Sequence, residues 1–137
     1  MAKTRAYVDE VPLFVEFRNE SWNKEAIYGF LKINNISYVN VDEPDLKGLL
    51  PAQNIVTTDT GYIRFHGRNK KDWWEGKGSA RYTYEYSNDE LQEWLIRVSD
   101  ILKKSYKSYI FFNNHPKGNA PKNALAFEQM LQQYLAE

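Results

Sequence analysis

The sequence has no cysteine. That removes disulfides, thiolate nucleophiles and zinc–thiolate sites from consideration, and it is compatible with a reducing compartment. Neither charge is in surplus: 18 Lys and Arg against 18 Asp and Glu give a formal net charge of zero. No dominant electrostatic drive toward nucleic acid or acidic membranes follows from such a balance, although it leaves room for a local basic patch. No apolar run approaches the roughly 18 residues needed to span a bilayer. Met1 to Glu10 is polar and charged, without the apolar stretch of a secretory signal. These absences predict a cytoplasmic protein with no membrane partner. Phosphate loops, glycine-rich dinucleotide fingerprints and nucleophile elbows are also missing, so the sequence names no cofactor.

What is present suits one domain over residues 1–137, with 42% apolar residues and an aromatic share of 15% that includes ten Tyr and four Trp. Lys3–Glu10 reads as the charged tail of a helix. Leu13 to Phe17 reads as a strand. Ser21 or Asn23 then caps a helix with Ala26, Ile27, Phe30 and Leu31 on one face, ended by Asn34 and Asn35. Tyr38 to Val41 is a second strand. Leu46 to Thr60 is interrupted by Gly48, Pro51 and Asn54, and predicts at most a short or irregular crossover. Gly61 to His66 is a third strand. A long loop or lid over residues 67–87 follows. Ser87 and Glu90 fit a capping box, ahead of a helical stripe of Leu91, Trp94, Leu95, Val98, Ile101 and Leu102. Tyr109 to Phe112 is a fourth strand. The last helix has Pro121 in its first turn and Ala124, Phe127, Leu131 and Tyr134 on one face. Strands separated by helices imply an α/β fold with a parallel sheet.

Parallel strands buried on both faces usually read as continuous apolar runs. Three of these four alternate instead. Glu16 and Arg18 oppose Val15 and Phe17, Asn40 and Asp42 oppose Val39 and Val41, and Arg64 and His66 oppose Ile63 and Phe65. Helices must cover the apolar parity. The polar parity is expected to face a barrel interior, a cleft or another subunit. Pairing of Glu16 with Arg64 would offset the cost of burying charge there.

Four segments carry a family resemblance. They are Val15-Glu16-Phe17-Arg18-Asn19-Glu20-Ser21-Trp22, then Tyr62-Ile63-Arg64-Phe65-His66-Gly67-Arg68-Asn69 with Trp73-Trp74, then Arg81-Tyr82-Thr83-Tyr84-Glu85-Tyr86-Ser87, and Phe111-Phe112-Asn113-Asn114-His115. Together they resemble the YecE-like/YunF-like family, domain-of-unknown-function family seventy-two, in order and from Leu13 onward. The resemblance implies a TIM-type (β/α)8 barrel of roughly twice this length, with the present chain matching its C-terminal half, strands five to eight. Met1-Ala2 would then start inside the fourth helix. Half a barrel leaves strand edges and an interior open, which motivates a homo-oligomer that completes the ring. The family's reaction is not established, so the resemblance bears on fold and site location.

In such barrels the site lies at the C-terminal strand ends. Those ends here carry Glu16, Arg18, Asp42, Glu43, His66, Arg68, Asn113, Asn114 and His115. The two histidines, with Glu16 and Asp42, form the candidate acid–base set, since His titrates near neutral pH; the alternative is structural hydrogen bonding. Arg18, Arg64 and Arg68 are candidate anion clamps. Arg64 reads slightly better as an internal partner of Glu16, and Arg68 as a ligand contact. Asn113 and Asn114 orient a ligand or satisfy backbone. Glu16, Asp42, His66 and His115 would have to converge to hold a metal, and no tight ligand spacing supports one. In the 67–87 loop, Asn69 and Trp73 join Lys70, Lys71, Lys77 and Arg81. Basic residues among aromatics suit stacking on a nucleotide or single strand, whereas a lid packed on the barrel top with solvated lysines explains them as well. Three functional readings stand: an enzyme acting on a small anionic or phosphorylated ligand, a nucleotide or nucleic-acid binding module, and an inactive fragment.

Overall fold

The structure is a computed structural model and describes residues 11–137; the helical tail expected over Lys3–Glu10 lies outside them. Every strand pairing in the described residues is parallel. Strand β1 (Leu13–Val15) pairs with β2 (Ile36–Tyr38), Leu13 opposite Ile36. Strand β3 (Asn40–Asp42) follows β2 after one residue, Val39, whose N–H donates to the Val15 carbonyl at 2.9 Å. Strands β2 and β3 therefore run as one chain path, bordering β1 at one end and β4 (Thr60–Phe65) at the other. Strand β4 pairs along its length with β5 (Lys107–Phe112), from Thr60 opposite Lys107 to Phe65 opposite Phe112.

Helix α1 (Glu25–Ile33) starts one turn later than the sequence suggests. Asn19, not Ser21 or Asn23, caps the short 3-10 turn Glu20–Trp22, and Lys24 precedes α1 without a side-chain cap. Asn23 instead accepts from the Tyr28 hydroxyl and from Gln53 Nε2 at 2.8 Å, a bridging role in place of a cap. The end of α1 is as expected, with Asn34 as C-cap and Asn35 in the left-handed region at φ 50°. The crossover after β3 contains no helix. It is pinned by side chains: Asn40 Nδ2 donates to the Ile55 carbonyl at 2.8 Å, and Asn40 Oδ1 accepts from Ile55 N–H at 2.8 Å. Thr57 Oγ1 accepts from Tyr38 N–H at 2.9 Å and donates to the Ile36 carbonyl.

The helix expected from Asn88 onward is two helices, α2 (Asn88–Gln92) and α3 (Leu95–Lys104). The Ser87–Glu90 capping box forms. The chain tightens at Trp94, whose N–H bonds the Leu91 carbonyl at 3.1 Å, three residues back rather than four. Helix α4 (Asn119–Ala136) buries Asn123 and Phe127, while Tyr134 at the end of the expected stripe is 36% exposed. The helices cover one sheet face, where Ile63, Phe65, Leu91, Trp94, Val98, Ile101 and Phe127 form one cluster. Helix α3 approaches β4 so closely that a Cβ on Gly61 would lie 2.4 Å from Ile101 Cγ2. A second cluster gathers Phe17, Tyr28, Leu31, Ile36, Tyr38 and Leu50 around α1.

One expectation about facing is overturned. Asn40 and Asp42 were to share a face with Glu16 and Arg64. The register sets Asn40 beside Ile63 and Asp42 beside Phe65, on the helix-covered face, and sets Val41 beside Arg64. The physical reason is that both polar groups are consumed inside the helix layer. Asn40 ties down the crossover, and Asp42 accepts from Trp94 and Tyr86. A buried polar group with all its partners carries little penalty.

Candidate functional site

The face opposite the helices ends in a cluster centred on Glu16, just beyond β1. Its Oε2 accepts from Arg64 Nη1 at 2.7 Å, and its Oε1 accepts from Arg18 Nη2 and His66 Nε2, each at 2.9 Å. The expected Glu16–Arg64 pair is present, with two further donors. Burial pushes the Glu16 carboxyl up, but the hydrogen bond and charge of His66, with Arg18 and Arg64, outweigh it and hold the group at about 2. An ionised carboxylate beside Nε2 requires that nitrogen to carry a proton. His66 is fully buried. Its Nδ1 faces the side-chain amide of Asn113, 3.4 Å away. That amide is satisfied with its oxygen toward Arg64, accepting from Nε at 3.1 Å. Four of the anticipated residues from three strand ends (Glu16, Arg64, His66, Asn113) thus meet, with Arg18 at the rim.

Asp42 and Arg68 form a separate node on the other face. Arg68 Nε and Nη2 grip Asp42 at 3.0 and 2.7 Å, and Arg68 Nη2 reaches Glu93 at 3.0 Å. Tyr86 donates its hydroxyl to Asp42 at 2.6 Å and Trp94 donates Nε1 at 2.7 Å. Burial and the Asp42 charge push the Tyr86 phenol well above its ordinary range, so it stays a donor. Gly67, at φ 95°, turns the chain out of β4 so that Arg68 doubles back; a Cβ there would lie 2.7 Å from Tyr84 Cβ. The sequence reading placed Asp42 with the acid–base set and Arg68 on a ligand. In the structure each is already occupied by the other.

The remaining expected residues hold the loop. Asn69 Oδ1 accepts from Asp72 N–H at 3.2 Å and its Nδ2 donates to the Ala80 carbonyl at 3.2 Å. Asn114 Nδ2 donates to the Tyr84 carbonyl and to Asn123 Oδ1, both at 2.9 Å. His115 makes a parallel bridge with Thr83, and its buried Nε2 has no hydrogen-bond partner among the described residues. The Tyr82 ring meets both imidazoles, 5.7 Å from His66 and 6.2 Å from His115. Among the described residues, no three His, Asp or Glu side chains group as a metal site. Trp73 is only 2% exposed and meets Tyr82 edge-on, so it offers no free ring for stacking a base. Lys70, Lys71 and Lys77 are at the surface, so the loop has the arrangement of a packed lid.

Glu43 was noted at a strand end but left out of the acid–base set. It follows Asp42 and so takes the opposite facing. It is 9% exposed and lines a groove of about 840 Å³ between the 44–52 segment and the side chains of Arg68, Tyr84, Glu90 and Glu93. Its Oε1 accepts from Leu50 N–H at 2.9 Å. Burial raises its carboxyl to about 7; the Leu50 hydrogen bond and Arg18 oppose the rise, and Glu16 and Asp42 add to it. Parity does not single it out, since Asp42, of the opposite parity, lines the same groove.

The family model described as protein of unknown function DUF72 matches residues 1–137. The UPF0759 protein YunF of Bacillus subtilis is 31% identical over 134 residues, covering 90% of this chain and 46% of that protein. A crystal structure of a DUF72 family protein from Thermotoga maritima superimposes with a TM-score of 0.85 at 46% identity, covering 90% of this chain and 47% of the other. One from Enterococcus faecalis gives 0.82 at 29% identity, covering 95% of this chain and 52% of the other. The chain spans about half the length of these relatives.

Proposed function

The chain belongs to the DUF72 family of proteins of unknown function, and from that premise we propose that its strand ends bind a small anionic ligand, with His66 as the acid–base group and the ionised Glu16 as its partner. The observation that carries this reading is the sharing of one ionised carboxylate among Arg18, Arg64 and His66. Two guanidinium groups around one carboxylate leave positive charge in excess. The side chains of Arg18 and Arg64 remain 54% and 32% exposed, so both have donors free for a carboxylate or phosphate. Asn113 adds an amide that orients Arg64. Isothermal titration with inorganic sulfate at pH 7 tests the reading. Binding in the wild type should weaken about tenfold or more in Arg64→Met, the usual loss for a hydrogen bond to a charged group. No sulfate binding by the wild type would overturn it.

The same face supports half of a (β/α)8 ring. Helices cover the other face, while Phe14, Tyr109 and Phe111 are 37%, 41% and 45% exposed and join Tyr62 in one aromatic stripe over β1, β4 and β5. A second copy of the chain would cover this stripe and pair the open strand edges. Sedimentation of this chain should show a dimer at micromolar concentration; a stable, folded monomer in dilute solution would count against ring completion.

A further inference from the structure

The groove of about 840 Å³ has a volume that suits a small molecule. None of Glu16, Arg18, Arg64 and His66 lines it, so it is a separate place from the anion cluster. Its charge has the other sign. Glu20, Asp42, Glu43, Asp45, Glu90 and Glu93 line it, against Lys47, Arg68 and Lys70. Arg68 is already committed, to Asp42 at 2.7 Å and Glu93 at 3.0 Å, with Glu90 at 3.8 Å. Lys47 and Lys70 are exposed. Among the described residues no ion pair neutralises Glu20, Glu43 or Asp45.

Glu43 adds an observation that the charge balance does not contain. It is 9% exposed, and Leu50 N–H holds its Oε1 at 2.9 Å. Its Oε2 makes no hydrogen bond among the described residues and is left to the groove that Glu43 lines. A buried carboxylate short of partners is costly, and a cationic N–H donor in the groove would remove that cost. The carboxyls do not converge as a metal site would require: among the described residues no three His, Asp or Glu side chains group to hold an ion. Carboxyls spaced along a wall that includes Leu46, Leu49 and Leu50 match ammonium groups joined by methylenes, which lay an apolar stem on apolar surface. We propose that this groove binds an aliphatic diamine or polyamine. One ammonium donates to Glu43 Oε2, the chain runs against Leu49 and Leu50, and another ammonium meets the outer carboxylates Glu20 and Asp45.

The groups acting on Glu43 besides the groove charges are Arg18 and Glu16 from beyond β1, Asp42 from β3 and the Tyr38 phenol from β2. Burial raises the Glu43 carboxyl to about 7, so a bound ammonium draws on the ionised form and expels the proton. Isothermal titration with spermidine is the test, since amines of this kind stay charged between about pH 5.5 and 8.5, as lysine does. Spermidine should bind at the upper end of that range and weaken about tenfold or more at the lower end. Glu43→Gln, whose side-chain oxygen still accepts from Leu50 N–H, should bind about tenfold more weakly at the upper end and lose most of the pH dependence. At neutral pH, buffers of different ionisation enthalpy should reveal about half a proton released per spermidine by the wild type and close to none by the variant. Asp45→Asn, at an exposed position where the fold tolerates change, should weaken binding a few fold. No spermidine binding by the wild type at the upper end would overturn the proposal. So would equal affinity and equal proton release in wild type and Glu43→Gln, or displacement of spermidine by sodium and magnesium at matched ionic strength to the same degree in both, which is diffuse attraction. Sulfate binding at Arg64 is read separately and depends on none of these outcomes.

Discussion

Asp42→Ala should destabilise the protein by about 3–5 kcal/mol, the usual loss when one partner of a buried ion pair is removed. Asp42 is 2% exposed and accepts from Arg68, Tyr86 and Trp94. Truncation strands the Tyr86 hydroxyl and the Trp94 indole N–H and leaves the Arg68 guanidinium, whose side chain is only 22% exposed, with Glu93 as its remaining close carboxylate. Each buried donor left unpaired adds about 1–3 kcal/mol. Asp42→Asn keeps an oxygen in place and should lose less, because one donor remains satisfied while the charge pair is lost. Urea unfolding followed by tryptophan fluorescence measures both. A loss below about 1 kcal/mol for Asp42→Ala would show that water replaces the carboxylate. The same node joins β3 to the lid at Arg68 and Tyr86 and to the helix layer at Trp94, so the variant should also loosen the 67–87 loop, seen as faster amide exchange there.

The fold was legible where a local pattern matched its period. The alternating strands, the Ser87–Glu90 capping box and the Asn34–Asn35 helix end follow from side-chain chemistry a few residues long. Two errors came from contacts distant in sequence. Trp94 belongs to the helical stripe, yet its indole meets Asp42, 52 residues away, and the helix tightens there. Asp42 alternates with apolar neighbours just as Glu16 does, and no local signal says which face is helix-covered. Only the register, with Asp42 beside Phe65, decides it. The Glu16–Arg64 pairing was legible because opposite charges on matching parities of strands facing one interior have few other ways to be buried. His66 and His115 both follow apolar strands, but both meet Tyr82 from the loop, whose course the sequence left open.

Glu16→Gln should remove about 3 kcal/mol of stability at neutral pH, and the pH at which wild-type and variant converge tests its cause. The displacement of the folded carboxyl from 4.5 to about 2 corresponds to that amount. A depressed carboxylate contributes stability above its unfolded value, near pH 4.5, and loses it as pH falls toward 2, because the unfolded chain takes up the proton first. Wild-type stability should therefore drop steeply between about pH 4.5 and 2 relative to Glu16→Gln. The Arg18 part is exposed to solvent and should shrink in 1 M salt, whereas the contact with the buried His66 should not. Glu43 has the opposite sign. Its carboxyl is raised to about 7, so the folded state holds a proton that the unfolded chain has released, and stability falls from about pH 4.5 to 7. Chemical denaturation from pH 2 to 8 resolves the two, since Glu16→Gln flattens the acid limb and Glu43→Gln the neutral one. A single variant that flattened both limbs would mean that the two carboxyls titrate as one coupled pair.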